Sequence, residues 1–298
     1  MTPPGARAVR VTVPASTANL GSGFDALGMA LAMHDVVDVA VTDAGLAVDV
    51  TGEGAGDVAR GEDHLVVRAV RAACRALGID PPGLSVRCRN VIPHSRGLGS
   101  SAAAVVAGVA AAYGLAGRPI DATALRVAVD FEGHADNAAA SLFGGLAVTW
   151  AEHDGWHALR LEPHAALRPV ALVPAQPSAT EATRRLLPER VPHADAAFAA
   201  GRAALAVAAM TTRPDLLLPA TEDRLHQDYR ESAWPPTLRM VRELRARGLA
   251  AAVSGAGPTV IVLTTDGAIP DGVDRTGFTV VELAVDRRGV LIEDAAAP

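Results

Sequence analysis

The sequence predicts a soluble chain of mixed helices and strands arranged as two domains. Three observations predict it. The chain has 298 residues, half of them hydrophobic and 20% charged. That is apolar surface enough to offset the entropy of folding and length enough for two ordinary domains. Val-rich runs of period two interchange with runs of helical spacing that stop at glycine. The composition shifts near His153 to Pro163, which puts an expected boundary between residues 1–155 and 156–298.

The elements follow in order. Arg7 to Val13 alternates as a strand should, and Ala15 to Gly28, small, polar and Gly-rich, reads as a loop. Val36 to Val41 and Leu46 to Thr51 read as strands on either side of a turn. Leu65 to Leu77 is a helix stopped by Gly78, and Leu84 to Val91 a strand. Ala102 to Tyr113 and Thr123 to Phe131 are helices, and Phe143-Gly144-Gly145 leads into the strand Leu146 to Trp150. In the second half, Pro169 to Val173 is a strand, and Ala194 to Met210 and Thr237 to Arg247 are helices. Leu249 to Val253 and Thr259 to Leu263 flank a Gly-rich loop, Phe278 to Val285 is a last strand, and the tail Asp294 to Pro298 is expected to fray.

Composition excludes several chemistries. Aromatics are 3%, so the core must be built from Ala, Val and Leu. All 27 basic residues are Arg, which removes lysine Schiff bases, pyridoxal enzymes and Walker A loops. With net charge −6, no basic stretch and few stacking aromatics, no nucleic-acid partner is expected. Cys74 and Cys88 are too few for a disulfide framework or a four-ligand zinc site and read as small core residues. Met1 to Gly5 leads into a strand with no apolar signal region, and the apolar stretch Ala102 to Tyr113 falls short of the roughly 20 residues a bilayer needs. No membrane partner and a cytoplasmic location are expected.

The most informative segment lies between a strand and a helix: Pro93, His94, Ser95, Arg96, Gly97, Leu98, Gly99, Ser100, Ser101, Ala102 and Ala103. Gly97 and Gly99 allow positive φ and close approach to a ligand. Ser100 or Ser101 can cap the helix, whose first N–H groups and dipole attract an anion without any lysine. A serine hydroxyl there can also reach a Mg²⁺ on the phosphates. On its own, the string fits an ordinary capped helix equally well.

Pro93 to Ala102 resembles the phosphate-binding motif of the GHMP kinases, matching each fixed position of Pro-x-x-x-Gly-Leu-Gly-Ser-Ser-Ala. Val13 to Asp25, through Pro14-Ala15-Ser16-Thr17-Ala18-Asn19-Leu20-Gly21-Ser22-Gly23-Phe24, resembles an N-terminal motif of that family. Ser254-Gly255-Ala256-Gly257-Pro258-Thr259 resembles its third, C-terminal motif. The linking segments are similar to the homoserine-phosphorylating branch: Glu132-Gly133-His134-Ala135-Asp136-Asn137, Arg184 to Pro188, Val191 to Ala196, and His226-Gln227-Asp228-Tyr229-Arg230. Ser22 and Ala135 stand where that branch has Pro, Ala199 where Asn is common, and His64 where an Asn near the adenine is usual.

The resemblance implies an α+β, two-domain GHMP kinase fold, with a ribosomal protein S5 domain 2-like first half and a ferredoxin-like βαββαβ second half. It implies ATP and Mg²⁺ as cofactors, the metal being held by Ser101 and Glu132. It implies L-homoserine as substrate, with Arg184 and Arg230 on its carboxylate, Asp25 on its ammonium, and Asn19, His134 and Asn137 hydrogen-bonding it. No general base is assigned; Asp25 and Asp136 are the carboxylates available. A mevalonate- or shikimate-type kinase and a catalytically silent ATP-binding regulator are the alternatives. The sequence does not set the oligomeric state; a homodimer is the assembly considered.

Overall fold

The computed structural model describes residues 8–176 and 183–295. β1 (Ala8–Asn19) and β2 (Gly23–Thr42) form the spine of the first sheet. Val9, Val11 and Val13 are buried while Arg10 between them is exposed, the period-two pattern of a half-buried strand. The expected loop at 15–28 is mostly strand. After a register shift at Pro14/Ala15, Ala15 pairs with Leu31, Ser16 with Ala30, Thr17 with Met29 and Ala18 with Gly28. Ser16 and Thr17 are fully buried. They are covered by neighbouring elements rather than by hydrophobicity of their own, so alternation does not reveal them.

β3 (Gly45–Gly52) does not form a hairpin with β2. β4 (Gly83–Asn90) lies between them, antiparallel to β2 and parallel to β3. β5 (Leu146–Glu152) pairs with β2, and β6 (Gly155–Leu161) pairs with β5. The division expected at 155/156 falls at the turn of this β5–β6 hairpin, so the first residues of the expected second domain pair in the first sheet. β11 (Leu291–Asp294) returns to pair with β1, with Asp294 opposite Val9, so the expected fraying does not begin at Asp294; residues 296–298 lie outside the described residues.

Four helices belong to this first layer: α1 (Leu65–Leu77), α2 (Ser100–Leu115), α3 (Ala122–Glu132) and α4 (Asp136–Phe143). α1 buries Val66, Val67, Val70, Ala73 and Cys74 and ends at Gly78, as its spacing predicts. α2 is small and apolar on nearly all sides, and such a helix must be central; α1, α3, α4 and β1 surround it. Neither Ser100 nor Ser101 caps it: the cap is Gly99 at φ +70°, and the Ser101 hydroxyl turns to Glu132 instead. Cys74 and Cys88 are buried free thiols, pushed up by burial to about 11 and about 12.

The second sheet contains β7 (Arg168–Pro174), β8 (Ala250–Val253), β9 (Val260–Thr264) and β10 (Phe278–Glu282), all antiparallel in the order β10-β7-β9-β8. That is the strand order of a ferredoxin-like sheet. The expected helix after the third strand is missing: residues 265–277 carry Gly267, Pro270, Gly272 and Gly277 and run as turns. α5 (His193–Thr211), α6 (Leu217–Ala220) and α7 (Pro235–Ala246) lie between β7 and β8. Alternate residues face two cores. Val170, Leu172, Val260 and Val262 meet Leu238, Val241 and Leu244 of α7, while Ala171, Ile261 and Leu263 join the large core of the first layer. Burial on both faces explains the unbroken apolar runs of these strands.

α5 is long and apolar enough, by length and composition, to cross a membrane, which the shorter stretch at 102–113 is not. Ala199, Ala206, Ala209 and Met210 of α5 are buried against the rest of the chain.

Candidate active site

Three loops distant in sequence close on one another. The backbone takes positive φ at Ser95, Gly97 and Gly99. A Cβ at Gly99 would lie 2.0 Å from Ser16 Oγ and 3.2 Å from Asn137 Oδ1; at Gly97 it would lie 2.5 Å from the Ser254 carbonyl oxygen. Ser16 N donates to Leu98 O at 3.1 Å, and Thr259 N to Arg96 O at 3.2 Å. The Ser254 hydroxyl donates to Gly97 O at 2.5 Å and shares a 2.8 Å hydrogen bond with Thr17 Oγ1. Gly255 N donates to Ala18 O at 2.9 Å, Gly257 N to Ser254 O at 2.8 Å, and Ala256 is half-buried between them. Asn19 completes the junction: its Nδ2 donates to Gly255 O at 2.8 Å and its Oδ1 accepts from Asp25 N at 2.9 Å.

Beside the N-terminus of α2 is a cavity of about 310 Å³, lined by Val37, Val58 and Ala107 on its apolar side and by His64, Asn90 and Ser101 on its polar side. His94 and Ser95 also line it. His64 is buried, with Nδ1 lacking a partner, and burial lowers its pKa, so the ring is neutral.

The first turn of α2 meets the last residue of α3 at this end. The Ser101 hydroxyl donates to Glu132 Oε1 at 2.5 Å, and burial raises the Glu132 carboxyl above its ordinary range. Hydroxyl and carboxylate are hard oxygen donors of the kind Mg²⁺ takes alongside retained waters, and a desolvated carboxylate gains from a cation.

The charged end of the cleft holds the remaining predicted residues. Arg184 forks onto the Asp25 carboxylate, with Nη1 at 3.1 Å from Oδ1 and Nη2 on Oδ2. Arg230 is 1% exposed, with its Nη1 2.8 Å from His226 Nδ1. Burial, reinforced by the nearby Arg184 charge, pulls its pKa down to about 10. Both guanidinium groups lie over the Phe24 ring, at 5.6 and 5.8 Å from its centroid. Half-buried His134 is held below its ordinary pKa by burial and then by Arg184. Asn137 Oδ1 accepts from Ser16 Oγ at 2.9 Å, and Asp136 Oδ1 accepts from Asn137 N at 2.7 Å. Burial pushes Asp136 up to about 7.

Not every predicted residue turns toward this cleft. The Arg96 guanidinium donates to the carbonyls of His94, Pro174 and Ala175 at 2.7, 3.0 and 2.6 Å, tying the loop to the end of β7. Leu98 and Ala102 are core residues, whereas buried Ala103 lines the cavity beside α2. Ser16, Phe24 and His226 have no site role that the sequence assigns, although each sits inside one of the motifs. Ser16 meets Asn137, and His226 meets Gly21 and Phe24, across long stretches of chain, so only the fold brings them together.

The family model described as GHMP kinases N terminal domain matches residues 64–145, and that described as GHMP kinases C terminal matches residues 196–274. The chain belongs to the GHMP kinase family. Within that family its relatives carry a particular name. It is 50% identical over 299 residues to a homoserine kinase of Streptomyces avermitilis, covering 98% of both chains. It is 53% identical over 281 residues to one of Rhodococcus opacus, covering 88% of this chain and 89% of the relative. A homoserine kinase structure from Cytophaga hutchinsonii superposes with a TM-score of 0.84 at 24% identity, covering 96% of this chain and 98% of that one.

Proposed function

We propose that the chain transfers the γ-phosphoryl group of ATP to the hydroxyl of L-homoserine, giving O-phospho-L-homoserine for threonine biosynthesis in the cytoplasm. One observation carries the substrate assignment. Two guanidinium groups, Arg184 and Arg230, share one aromatic platform, with the Asp25 carboxylate paired to Arg184, and the Ser16–Asn137 contact joins this end of the cleft to Gly99 of the phosphate loop. A small zwitterion with a terminal hydroxyl fits such a charge pattern, because an Arg fork suits its carboxylate and an Asp its ammonium.

In this reading the loop from Pro93 to Ala103 holds the triphosphate on backbone N–H groups at the start of α2. The base enters the cavity lined by Val37, Val58 and His64. Ser101 and Glu132 would hold Mg²⁺, which neutralises phosphate charge when bound. Asn19 keeps the N-terminal and C-terminal glycine loops together beside the substrate. His134, kept neutral, and Asn137, its amide oriented by Ser16 and Asp136, hydrogen-bond the substrate, Asn137 near the reacting hydroxyl. No side chain is assigned as general base. Phosphoryl transfer through a loose transition state leaves little negative charge on the attacking oxygen, so late proton loss suffices, and positioning does most of the work.

The test is an ADP-release assay with homoserine, mevalonate, shikimate and threonine as acceptors. Homoserine is expected to give the highest kcat/KM. Preference for mevalonate would overturn the acceptor and leave the kinase; ATP binding without turnover on any acceptor would favour a silent regulator.

A further inference from the structure

We propose that His226 is the positioning residue for Arg230, fixing by a single neutral tautomer the direction in which the guanidinium meets the substrate. The inference rests on Arg230 being the carboxylate anchor. His226 is fully buried one turn before Arg230. Its backbone is held first: the N–H groups of Leu225, His226 and Gln227 donate to the Asp223 carboxylate at 2.9, 3.0 and 2.8 Å.

The ring nitrogens have two hydrogen-bond contacts, and each dictates a protonation; the Asp223 carboxylate lies further off, 3.7 Å from Nε2. Nε2 lies 2.8 Å from the Gly21 carbonyl oxygen, which can only accept, so Nε2 carries the hydrogen. Nδ1 lies 2.8 Å from Arg230 Nη1, and a guanidinium can only donate, so Nδ1 presents its lone pair. One neutral tautomer satisfies both; an imidazolium would set N–H against N–H. Burial lowers the pKa of His226, as does Arg230, against the opposing pull of Asp223 and, more weakly, Asp25. Phe24 stacks on the imidazole at 5.0 Å and also lies under Arg184 and Arg230. His226 therefore joins the turn carrying Asp25 to the arginine that faces the other end of a zwitterion.

Three variants separate the contacts. H226F keeps a stacking ring and loses both hydrogen bonds. H226N keeps an amide oxygen where Nδ1 stood, and H226Q places its amide N–H near the former Nε2. Each is checked for folding by its urea midpoint. KM for homoserine and for ATP is measured, together with the competitive inhibition constant of 3-aminopropan-1-ol, which has the hydroxyl and amine but no carboxylate. H226F and H226Q are expected to raise KM for homoserine about 10- to 100-fold. H226N is expected to stay within about threefold of wild type. KM for ATP and the 3-aminopropan-1-ol constant should not move. Equal weakening of homoserine and 3-aminopropan-1-ol, or recovery by H226Q as good as by H226N, would overturn the positioning role. R230Q is the separate control. If it leaves KM for homoserine unchanged, the carboxylate assignment of Arg230 fails, whatever the His226 variants do.

Discussion

Glu132 and Asp136 are four residues apart, and burial raises the pKa of both, yet they face different groups. Glu132 meets the Ser101 hydroxyl at 2.5 Å. Glu132→Gln keeps the shape and removes the charge a cation needs, so kcat should fall by at least tenfold with KM for homoserine little changed, and added Mg²⁺ should partly restore it. Wild-type turnover at low Mg²⁺ would exclude the metal role. Asp136 is a stability matter as well. Its pKa rises from 3.8 unfolded to about 7 folded, so the folded state binds the extra proton between those values. Folding stability attributable to Asp136 is therefore largest below pH 4, declines as pH rises, and reaches its lowest level above pH 7. A tenfold change in proton affinity is worth about 1.4 kcal/mol, so the penalty at pH 8 is of the order of a few kcal/mol. Asp136→Asn, which still offers Asn137 N an acceptor, should raise the urea midpoint at pH 8 and change it little at pH 4. An equal effect at both pH values would show that Asp136 does not titrate in this range.

The turn from Gly97 to Gly99 shows what an element requires beyond its sequence pattern. Gly99 at φ +70° lies against Ser16 and Asn137, whereas Gly45 at φ +79° has nothing within 4 Å of an added Cβ. Gly99→Val and Gly45→Val share the backbone strain, a cost of about 1–3 kcal/mol each. Only Gly99→Val should abolish calorimetric ATP binding, because only there does the side chain displace the loop. Unchanged ATP affinity in Gly99→Val would remove the loop from the nucleotide site. The same contrast explains what was legible in the sequence. α1 with its Gly78 stop could be read from spacing, because its periodicity and its cap are both local. α4, β6, β11 and the second half of β1 could not. Ser16 and Thr17 are buried by other elements, Asp136 to Phe143 is only eight residues long, and Leu291–Asp294 becomes a strand only because β1 offers an edge. The site divides in the same way. Its motif residues could be picked out from the chain, whereas the use of Arg96 as a latch on Pro174 and Ala175 depends on where β7 ends.

At the scale of the whole molecule, the two sheets are joined across the cleft by groups that the proposed substrate would also use. We propose two folding units, and the Asp25–Arg184 fork spans them, from β2 of the first sheet to the segment that follows β7 of the second. Without substrate, the residue assigned to the ammonium neutralises a residue assigned to the carboxylate. Homoserine, carrying both charges, can exchange its own pair for this one with no net change in charge. Asp25→Asn breaks that symmetry. Asn tolerates the φ of +53° at this position, so the turn should survive. Homoserine loses its ammonium partner, and the loss of one charge-assisted contact, about 1.5–3 kcal/mol, lowers kcat/KM roughly 10- to 150-fold. 4-Hydroxybutyrate, which has the carboxylate and the hydroxyl but no amine, loses nothing and gains a released Arg184. Its kcat/KM should hold or rise. ATP affinity should not change, because the nucleotide loop does not touch Asp25. The measurement is steady-state kinetics with two acceptors and two proteins. If Asp25→Asn lowers kcat/KM equally for both acceptors, the ammonium assignment is wrong, and Asp25 acts instead on the hydroxyl that the two acceptors share.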